Sequence, residues 1–183
     1  GGKSLSPSIC ILEKGAEIGH LGFSGGVMNP RAIAELLGDE WKPDEVPNCT
    51  AVTHDEVVYM TGFDEGYAAP FTPPGLENHG NFIVSLGSVC RWLGTKAEAL
   101  GVEIYPGFAA SEILFDEAGK SVTGVATGDM GIGKNKQPKD SFTRGMELHA
   151  KYTLFAEGAR GNLGKKLIAR FGLAKECDPQ KFG

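Results

Sequence analysis

The sequence lacks the features that define several broad protein classes. No apolar run among its 183 residues approaches the roughly 18 residues that a membrane-spanning helix requires. Positive charge is also scarce, because 23 acidic residues outnumber 18 lysines and arginines and give a net charge of −5. This balance disfavours nucleic acid as an electrostatic partner. It leaves open a membrane contact through a local apolar patch.

Metal-binding and acid–base motifs are missing as well. The cysteines Cys10, Cys49, Cys90 and Cys177 are far apart and include no C-x-x-C pair. We therefore expect reduced, buried thiols, with no zinc or iron–sulfur site built from this sequence alone. The histidines show no ligand spacing, and no Ser-His-Asp order or carboxylate pair stands out. We expect no catalytic residue and no metal ligand, a profile typical of proteins in which a cofactor carries out redox chemistry.

The sequence does contain alternating strand and helix patterns. Short apolar runs predict strands at 8–13, 102–105 and 152–156. Apolar residues at helical spacing predict helices at 29–38, 86–100 and from 161 or 162 onward. A hairpin is expected at 109–127, followed by a polar excursion at 130–147. The order predicts an α/β fold, with a parallel sheet that carries an antiparallel insertion.

Between these elements the sequence predicts turns, a surface loop at 39–50 and a loop or sheet edge at 63–75. Ser24-Gly25-Gly26 is typical of a tight turn, and the charged, proline-containing stretch 39–50 is typical of a loop. The stretch 63–75, rich in proline and aromatic residues, is expected to be a loop or a sheet edge. The helix at 86–100 is expected to bury the stripe Leu86, Val89, Cys90, Leu93, Ala97 and Leu100, with Ser88 and Arg91 outside it.

Glu13 ends the first apolar run. In dinucleotide-binding folds an acidic residue at this place binds the ribose hydroxyls of the adenosine half. The alternative is a solvated carboxylate at a strand end. The glycine-rich fingerprint that normally lies about 20 residues upstream is not in this sequence, and Gly131-Ile-Gly133 lacks the third glycine.

Two further places have the chemistry of a phosphate contact. Arg91 lies on the polar side of the helix at 86–100, where its guanidinium could clamp a pyrophosphate or remain a surface charge. Gly158 and Arg160 follow the apolar run at 152–156, together with Glu157. They fit either the rim of a cofactor site or an ordinary strand-to-helix connection.

Several longer segments carry a specific resemblance. They are 9–19, 24–31, 78–82, 90–93, 101–107, 124–131, 147–151 and 152–167. Together they resemble the electron transfer flavoprotein–ubiquinone oxidoreductase family, within the wider group of geranylgeranyl-reductase-like flavoproteins. The resemblance covers nearly the whole chain.

The resemblance implies a flavoenzyme that takes electrons from reduced electron transfer flavoprotein and passes them to ubiquinone. FAD and a [4Fe-4S] cluster would carry the electrons, with cluster ligands outside this sequence. The enzyme would be peripheral on the matrix side of the mitochondrial inner membrane or on the bacterial cytoplasmic membrane. The fold implied is a partial FAD-binding Rossmann-like parallel sheet with an inserted antiparallel α+β subdomain.

The resemblance also implies a set of cofactor-binding residues. Glu13, next to Lys14, would bind the adenosine ribose, and Arg91 would face the pyrophosphate. The flavin side would be lined by Ser24, Gly25 and Gly26. The adenine would meet backbone atoms of Ala110 or Ser111. The rim would be completed by Glu157, Gly158 and Arg160.

The same resemblance divides the chain and limits what it can do alone. Residues 1–50 and 86–183 would belong to the FAD-binding domain, with a hairpin excursion at about 116–147. Residues 51–85 would form an inserted segment that faces the quinone or the membrane. The family's first strand and glycine-rich loop are missing, so we expect an internal fragment that binds FAD poorly by itself. The alternatives are a flavin-dependent reductase of the geranylgeranyl reductase type, or a cofactor-free binding module.

Overall fold

A computed structural model describes residues 7–158 and 160–176 of the chain and divides it into two units, Gly1–Pro106 and Gly107–Gly183. The first unit mixes helices with parallel and antiparallel strands, and the second combines antiparallel strands with a helix. The chain therefore has the mixed α/β character that the sequence predicts. The predicted thiol at Cys177 lies outside the described residues.

The elements of the first unit follow one another in short segments. They are β1 (Cys10–Glu13), β2 (Gly25–Met28), α1 (Arg31–Leu37), β3 (Cys49–Ala51), β4 (Val58–Met60), β5 (Gly66–Ala68), β6 (Phe82–Ser85), α2 (Leu86–Ala99) and β7 (Glu103–Pro106). Short 3-10 turns occupy Gly38–Glu40, Pro43–Glu45 and Pro74–Leu76. Those of the second unit are β8 (Ala110–Phe115), β9 (Val122–Thr127), β10 (Met130–Ile132), β11 (Pro138–Thr143), β12 (Glu147–His149) and α3 (Asn162–Phe171).

The first apolar run forms a parallel strand pair. β1 pairs with β7, and Cys10 lies opposite Glu103 while Glu13 lies opposite Pro106. A parallel pair needs a long crossover, which here contains α2. The thiol of Cys10 is exposed rather than buried, so the prediction of a buried thiol is wrong at this position. Cys49 and Cys90 are half-buried.

A three-stranded antiparallel sheet, in the order β2-β6-β3, supports the core of the first unit. The buried residues of this core are Val46, Val84, Val89 and Trp92. Trp41 packs edge-to-face on Trp92, with ring centroids 5.7 Å apart. The prediction that 39–50 is only a surface loop is therefore wrong. The charged composition of 39–50 gives no sign that Val46 is buried, at 3% exposed. That burial comes from tertiary packing rather than from the local pattern.

The turn expected at Ser24-Gly25-Gly26 is a strand. β2 begins at Gly25, which lies opposite Ser85 in the ladder with β6. A Cβ on Gly25 would lie 2.6 Å from the carbonyl oxygen of Val84, so the glycine is needed for close strand approach. The glycines correctly predicted a close backbone approach, but the prediction of a turn was wrong, because the segment is a strand.

The helix at 86–100 forms nearly as predicted, with a rotated buried face. Ser88 is 2% exposed, whereas Leu86 and Leu100 are exposed. The small-residue side of α2 is buried too, because Gly87 and Gly94 admit the loop that follows β1. Ser88 and Trp92 lie inward in place of the ends of the expected apolar stripe, since Ser88 accepts a hydrogen bond from Asn48 and Trp92 packs on Trp41.

In the second unit the predicted hairpin is confirmed. β8 and β9 pair antiparallel around the turn at Asp116, and β12 adds to the other side of β9. The polar excursion forms β10 and β11, with Lys136 at a positive φ in the turn. α3 buries Leu163, which is 1% exposed.

The strand predicted at 152–156 is wrong for the residues that the structure describes, since no ladder forms there. The segment is apolar, but Tyr152 and Leu154 are exposed. A strand is defined by its hydrogen-bonded neighbour, and an apolar run supplies only one half of that pair. The hydroxyl of Thr153 is buried without a hydrogen-bond partner among the described residues.

Candidate functional site

The carboxylate of Glu13 lies where β1 ends and the chain turns away. Glu13 is half-buried, and its Oε1 accepts a hydrogen bond from the backbone N–H of Gly15. Lys14, between them, is exposed. The bond fixes the carboxylate against the turn, while an ionised carboxylate has further acceptor positions for ligand hydroxyls. The geometry is compatible with a ribose contact.

The loop after Glu13 packs on the first turns of α2. A Cβ on Gly87 would lie 2.8 Å from the carbonyl oxygen of Gly19, and a Cβ on Gly19 would overlap the Gly87 carbonyl. Gly19 also has a φ of 74°, in the left-handed region that favours glycine. Backbone therefore lies directly on backbone here, and the position of the loop is fixed by the helix.

Arg91 lies on the same end of α2. Its Nη2 donates to Ser88 Oγ over 3.3 Å, and Asn48 Nδ2 donates to the same oxygen over 3.3 Å. Its Nη1 would be 3.5 Å from a Cβ on Gly87. Ser88 thus holds one edge of an otherwise exposed guanidinium beside the loop that follows Glu13.

Ser24 and the two glycines after it reach the same helix end. The carbonyl of Ser24 accepts from the Leu86 amide over 3.3 Å. Gly25 and Gly26 continue as the start of β2, and a Cβ on Gly26 would meet no described atom within 4 Å. The first unit therefore places Ser24 next to the first residue of α2 and Arg91 on its second turn. Gly25 and Gly26 follow Ser24 in β2, and Glu13 begins the loop that packs on the helix.

The second unit holds the remaining predicted residues in two places. Ala110 and Ser111 begin β8, and Ser111 Oγ donates to the Ala126 carbonyl over 3.3 Å. Irregular pairing between Ala110 and Glu112 marks a bulge there. Bulges re-aim local groups, which suits the predicted contact through backbone atoms.

Glu157, Gly158 and Arg160 surround the start of α3. The carboxylate of Glu157 accepts from the amides of Leu163 and Gly164 over 3.1 and 2.7 Å. Gly158 has a φ of 76°, and Arg160 is exposed in the following turn. Glu157 therefore serves the helix N-terminus, a role that its position in the sequence did not reveal.

The hollow beside Glu157 is small. It has a volume of about 70 Å³ and is lined by Phe155, Gly161 and Ile168 among others. Pockets that hold drug-sized ligands are roughly 300–1,000 Å³. The hollow by itself has no room for a dinucleotide.

The first unit also contains a hydrogen-bonded clamp, formed by Asp55 and Asn78, that the sequence did not predict. Asp55 Oδ2 accepts from the backbone N–H of Asn78 over 2.9 Å, and its Oδ1 accepts from Asn78 Nδ2 over 3.1 Å. These two bonds hold the pKa of the Asp55 carboxyl below its ordinary value. The only signal in the sequence was the polar run 78–81, which follows a proline-rich stretch.

Between the two sides of this clamp lies a segment with large exposed apolar side chains. We call β4, β5 and their connection, residues 58–68, the aromatic hairpin. Phe63 at its tip is 96% exposed and Tyr67 is 71% exposed. Exposed apolar clusters mark surfaces that contact a partner or a membrane.

Two features are absent from the described part of the chain. No helix there is long and apolar enough to cross a bilayer. Residues 7–158 and 160–176 also contain no group of three or more His, Cys, Asp or Glu side chains placed to hold a metal ion.

Comparisons with known proteins agree with the sequence resemblance. The electron transfer flavoprotein-ubiquinone oxidoreductase of Pseudomonas aeruginosa is 49% identical over 96% of this chain, which covers 32% of that protein. The mitochondrial protein of this name from Bos taurus is 50% identical over 96% of the chain, covering 28% of its length. The Dictyostelium discoideum protein is 49% identical over 100% of the chain, covering 29%.

These comparisons confirm the resemblance to that family. The chain spans about a third or less of each of these relatives. No protein-family model matches it.

Proposed function

We propose that this chain is part of an electron transfer flavoprotein–ubiquinone oxidoreductase, which moves electrons from reduced electron transfer flavoprotein to ubiquinone. The observation that carries the proposal is identity of 49–50% over almost the whole chain to proteins of that name. The parallel pair β1–β7, with Glu13 at its end, supports a Rossmann-like FAD-binding fold.

The residues around the start of α2 fit a dinucleotide. Glu13 offers a carboxylate for ribose hydroxyls, and Arg91 offers a guanidinium fork for pyrophosphate oxygens. Gly25 and Gly26 carry no side chain that would hinder a flavin. When bound, FAD accepts electrons and releases them to the next carrier. The chain's own residues bind and orient the cofactor.

The cysteines described here do not fit a [4Fe-4S] cluster. Such a cluster is usually held by four cysteine thiolates, whereas Cys10, Cys49 and Cys90 belong to three separate elements. The described residues also contain no cluster of potential metal ligands. We therefore assign the cluster ligands to parts of the full-length protein outside this chain.

The aromatic hairpin supports a peripheral membrane contact. Tyr59, Phe63 and Tyr67 are exposed, and aromatic side chains favour the interface between lipid headgroups and acyl chains. Asp64 and Glu65, beside Phe63, limit the depth to a shallow contact. Ubiquinone is a lipid-soluble substrate, so an enzyme that reduces it gains from holding its surface at the bilayer. We assign this surface to the mitochondrial inner membrane on the matrix side, or to the bacterial cytoplasmic membrane.

Flavin content tests the cofactor assignment. In the purified full-length protein, Glu13→Ala is expected to weaken FAD binding about tenfold or more, the effect of losing a charged hydrogen-bond partner. Glu17→Ala is the matched control, because it removes an exposed carboxylate from the same loop. Unchanged FAD affinity in Glu13→Ala would contradict the assignment.

Turnover tests the reaction. The full-length protein is expected to oxidise reduced electron transfer flavoprotein with a soluble ubiquinone analogue as acceptor. Reduction of an isoprenoid double bond without quinone reduction would favour the geranylgeranyl reductase alternative instead. A protein that folds and stays stable without flavin, and reduces neither substrate, would favour a binding module.

A further inference from the structure

We propose that Asp55 and Asn78 are positioning residues for the aromatic hairpin, closing the base of segment 56–77 so that Phe63 and Tyr67 meet a membrane surface together. The proposal rests on the membrane contact proposed above. It adds the pair of residues that fixes the angle at which the hairpin leaves the β2-β6-β3 sheet.

The clamp is bidentate. Both carboxylate oxygens of Asp55 are engaged by Asn78, one by its backbone N–H at 2.9 Å and one by its side-chain amide at 3.1 Å. Two bonds to one carboxylate restrain orientation as well as distance. Residues 23 positions apart in sequence are therefore held side by side.

Neighbouring bonds connect the clamp to the sheet. Asn78 Nδ2 also donates to the Leu76 carbonyl over 2.9 Å, and Asn78 Oδ1 accepts from Asn81 Nδ2 over 3.3 Å. The carbonyl of Asn81, just before β6, accepts from the Val52 amide, just after β3, over 3.0 Å. The base of the segment is thereby continuous with the β3–β6 ladder.

Bonds within the hairpin hold its shape without setting its direction. β4 and β5 pair with each other, and the Ala69 amide donates to the Val57 carbonyl over 2.7 Å. The large side chains that could anchor the hairpin, such as Tyr59 and Tyr67, point outward and are exposed. Orientation is therefore set mainly where the segment joins the sheet. A second tie there is Thr72 Oγ1, which donates to the Asp55 carbonyl over 3.4 Å.

A hairpin released from the clamp would sample many directions, and only some of them present Phe63 and Tyr67 to one surface. The apparent affinity of a site falls by the fraction of molecules in the competent orientation. If that fraction drops to about a tenth, partitioning onto a membrane falls about tenfold.

The experiment measures partitioning of the full-length protein onto neutral phosphatidylcholine vesicles, together with amide hydrogen exchange. Asp55→Ala is expected to lower partitioning about tenfold and to speed exchange at the clamp, where the Asn78 backbone N–H loses its acceptor. Asn78→Ala keeps that backbone bond and loses only the side-chain bond, so it is expected to have a smaller effect in the same direction. Exchange in α2 is expected to stay at the wild-type rate. Asp55→Asn retains one acceptor oxygen, which can hold the Asn78 backbone N–H but not the Asn78 side chain as well. Its partitioning is therefore expected to lie between that of wild type and that of Asp55→Ala.

Two controls separate the possible causes. Glu56→Gln removes a neighbouring negative charge that takes no part in the clamp, and it is expected to partition like wild type. The double variant Phe63→Ser/Tyr67→Ser removes the apolar contact itself, and it is expected to lose partitioning while keeping slow exchange at the clamp.

Each contrary result has its own meaning. Loss of partitioning in the double serine variant but not in Asp55→Ala would overturn the positioning role and leave the membrane contact standing. Full partitioning of the double serine variant would overturn the membrane contact, and the positioning role with it. Faster exchange in α2 of Asp55→Ala would show a general structural role and would also overturn the proposal.

Discussion

The side chain of Ile18 lies against Gly94 of α2, so closely that a Cβ on Gly94 would be 2.8 Å from Ile18 Cδ1. About two turns earlier on the helix, Gly87 meets the backbone of Gly19 instead. The loop that joins Glu13 to Ser24 is therefore held at one point by a flexible side chain and at the other by rigid backbone.

These two contacts predict different responses to the same substitution. Gly87→Ala forces backbone to move and is expected to destabilise the loop by about 1–3 kcal/mol. Gly94→Ala displaces Ile18 Cδ1 and tightens the contact with Ile18 Cγ2, without moving backbone, and it gains helix propensity of up to about 1 kcal/mol. The net change is therefore expected to be small. Hydrogen exchange over 15–22 in the full-length protein measures both. Equal acceleration in the two variants would contradict the distinction.

The same helix shows how far sequence periodicity could predict the fold. The spacing of apolar residues in 86–100 correctly predicted a helix and its end at Gly101, because both depend on local chain properties. It did not predict that Ser88 is buried. That depends on Asn48, which is 40 residues away and donates to the Ser88 hydroxyl. Contacts between distant residues leave no mark in a local pattern.

The candidate site, like the helix, could be predicted from the sequence only in part. Glu13 could be selected from sequence because a carboxylate at the end of a short apolar run has a recognised use. The helix-capping role of Glu157 was missed, since it depends on the chain folding back over Leu163. The aromatic stretch was correctly predicted as a loop or sheet edge, since β5 lies in a two-stranded sheet. Asp55 was missed, because its bonds to Asn78 form only when the two ends of the segment meet.

Arg170 makes a contact that is expected to stabilise the second unit. Its Nη2 donates to the Gly119 carbonyl over 2.8 Å, and its guanidinium carbon lies 4.0 Å from the ring centre of Phe115. Arg170→Ala is expected to destabilise the contact between α3 and the hairpin by about 1–2 kcal/mol. Arg170→Lys keeps the charge but loses the planar fork, so it is expected to recover only part of this.

A double-mutant cycle checks the pair. If Arg170 and Phe115 interact, the combined Arg170→Ala/Phe115→Leu variant is expected to lose less stability than the sum of the single variants, as judged by exchange in β8 and α3. Strict additivity would show that the ring contact contributes nothing.

The hydrogen bonds that Asp116 accepts are expected to make the β8–β9 turn sensitive to acid. Its Oδ1 accepts from the amides of Lys120 and Ser121, and these bonds hold the pKa of its carboxyl below the ordinary value. The stabilisation is therefore present above the unfolded pKa of about 3.9 and is lost as pH falls through the lower folded value.

Pepsin, which is active in acid, provides the measurement. Cleavage within 110–127 is expected to increase below about pH 4 in the wild-type protein, relative to cleavage at other sites. Asp116→Asn carries no titrating group there and is expected to lose this pH dependence, while Glu117→Gln is expected to behave as wild type. A parallel pH profile in Asp116→Asn would contradict the role of the carboxylate.

For Glu157, a structural role and a cofactor role predict different results in the same variants. Its two oxygens accept from the first free amides of α3, so Glu157→Ala is expected to cost about 1–2 kcal/mol at the helix start. Glu157→Gln keeps one acceptor oxygen and is expected to have an intermediate effect. Hydrogen exchange in 162–166 measures this fraying, with the exposed Lys166→Ala as a control for the helix itself.

Flavin content of the same variants decides between the roles. If Glu157 acts only as a helix cap, FAD affinity is expected to follow the fraying, with Glu157→Gln closer to wild type than Glu157→Ala. If its charge also acts on the cofactor, Glu157→Gln is expected to change FAD affinity as much as Glu157→Ala while α3 stays largely protected. The order of the two variants in flavin content therefore shows whether the carboxylate's charge or its hydrogen-bonding oxygen matters.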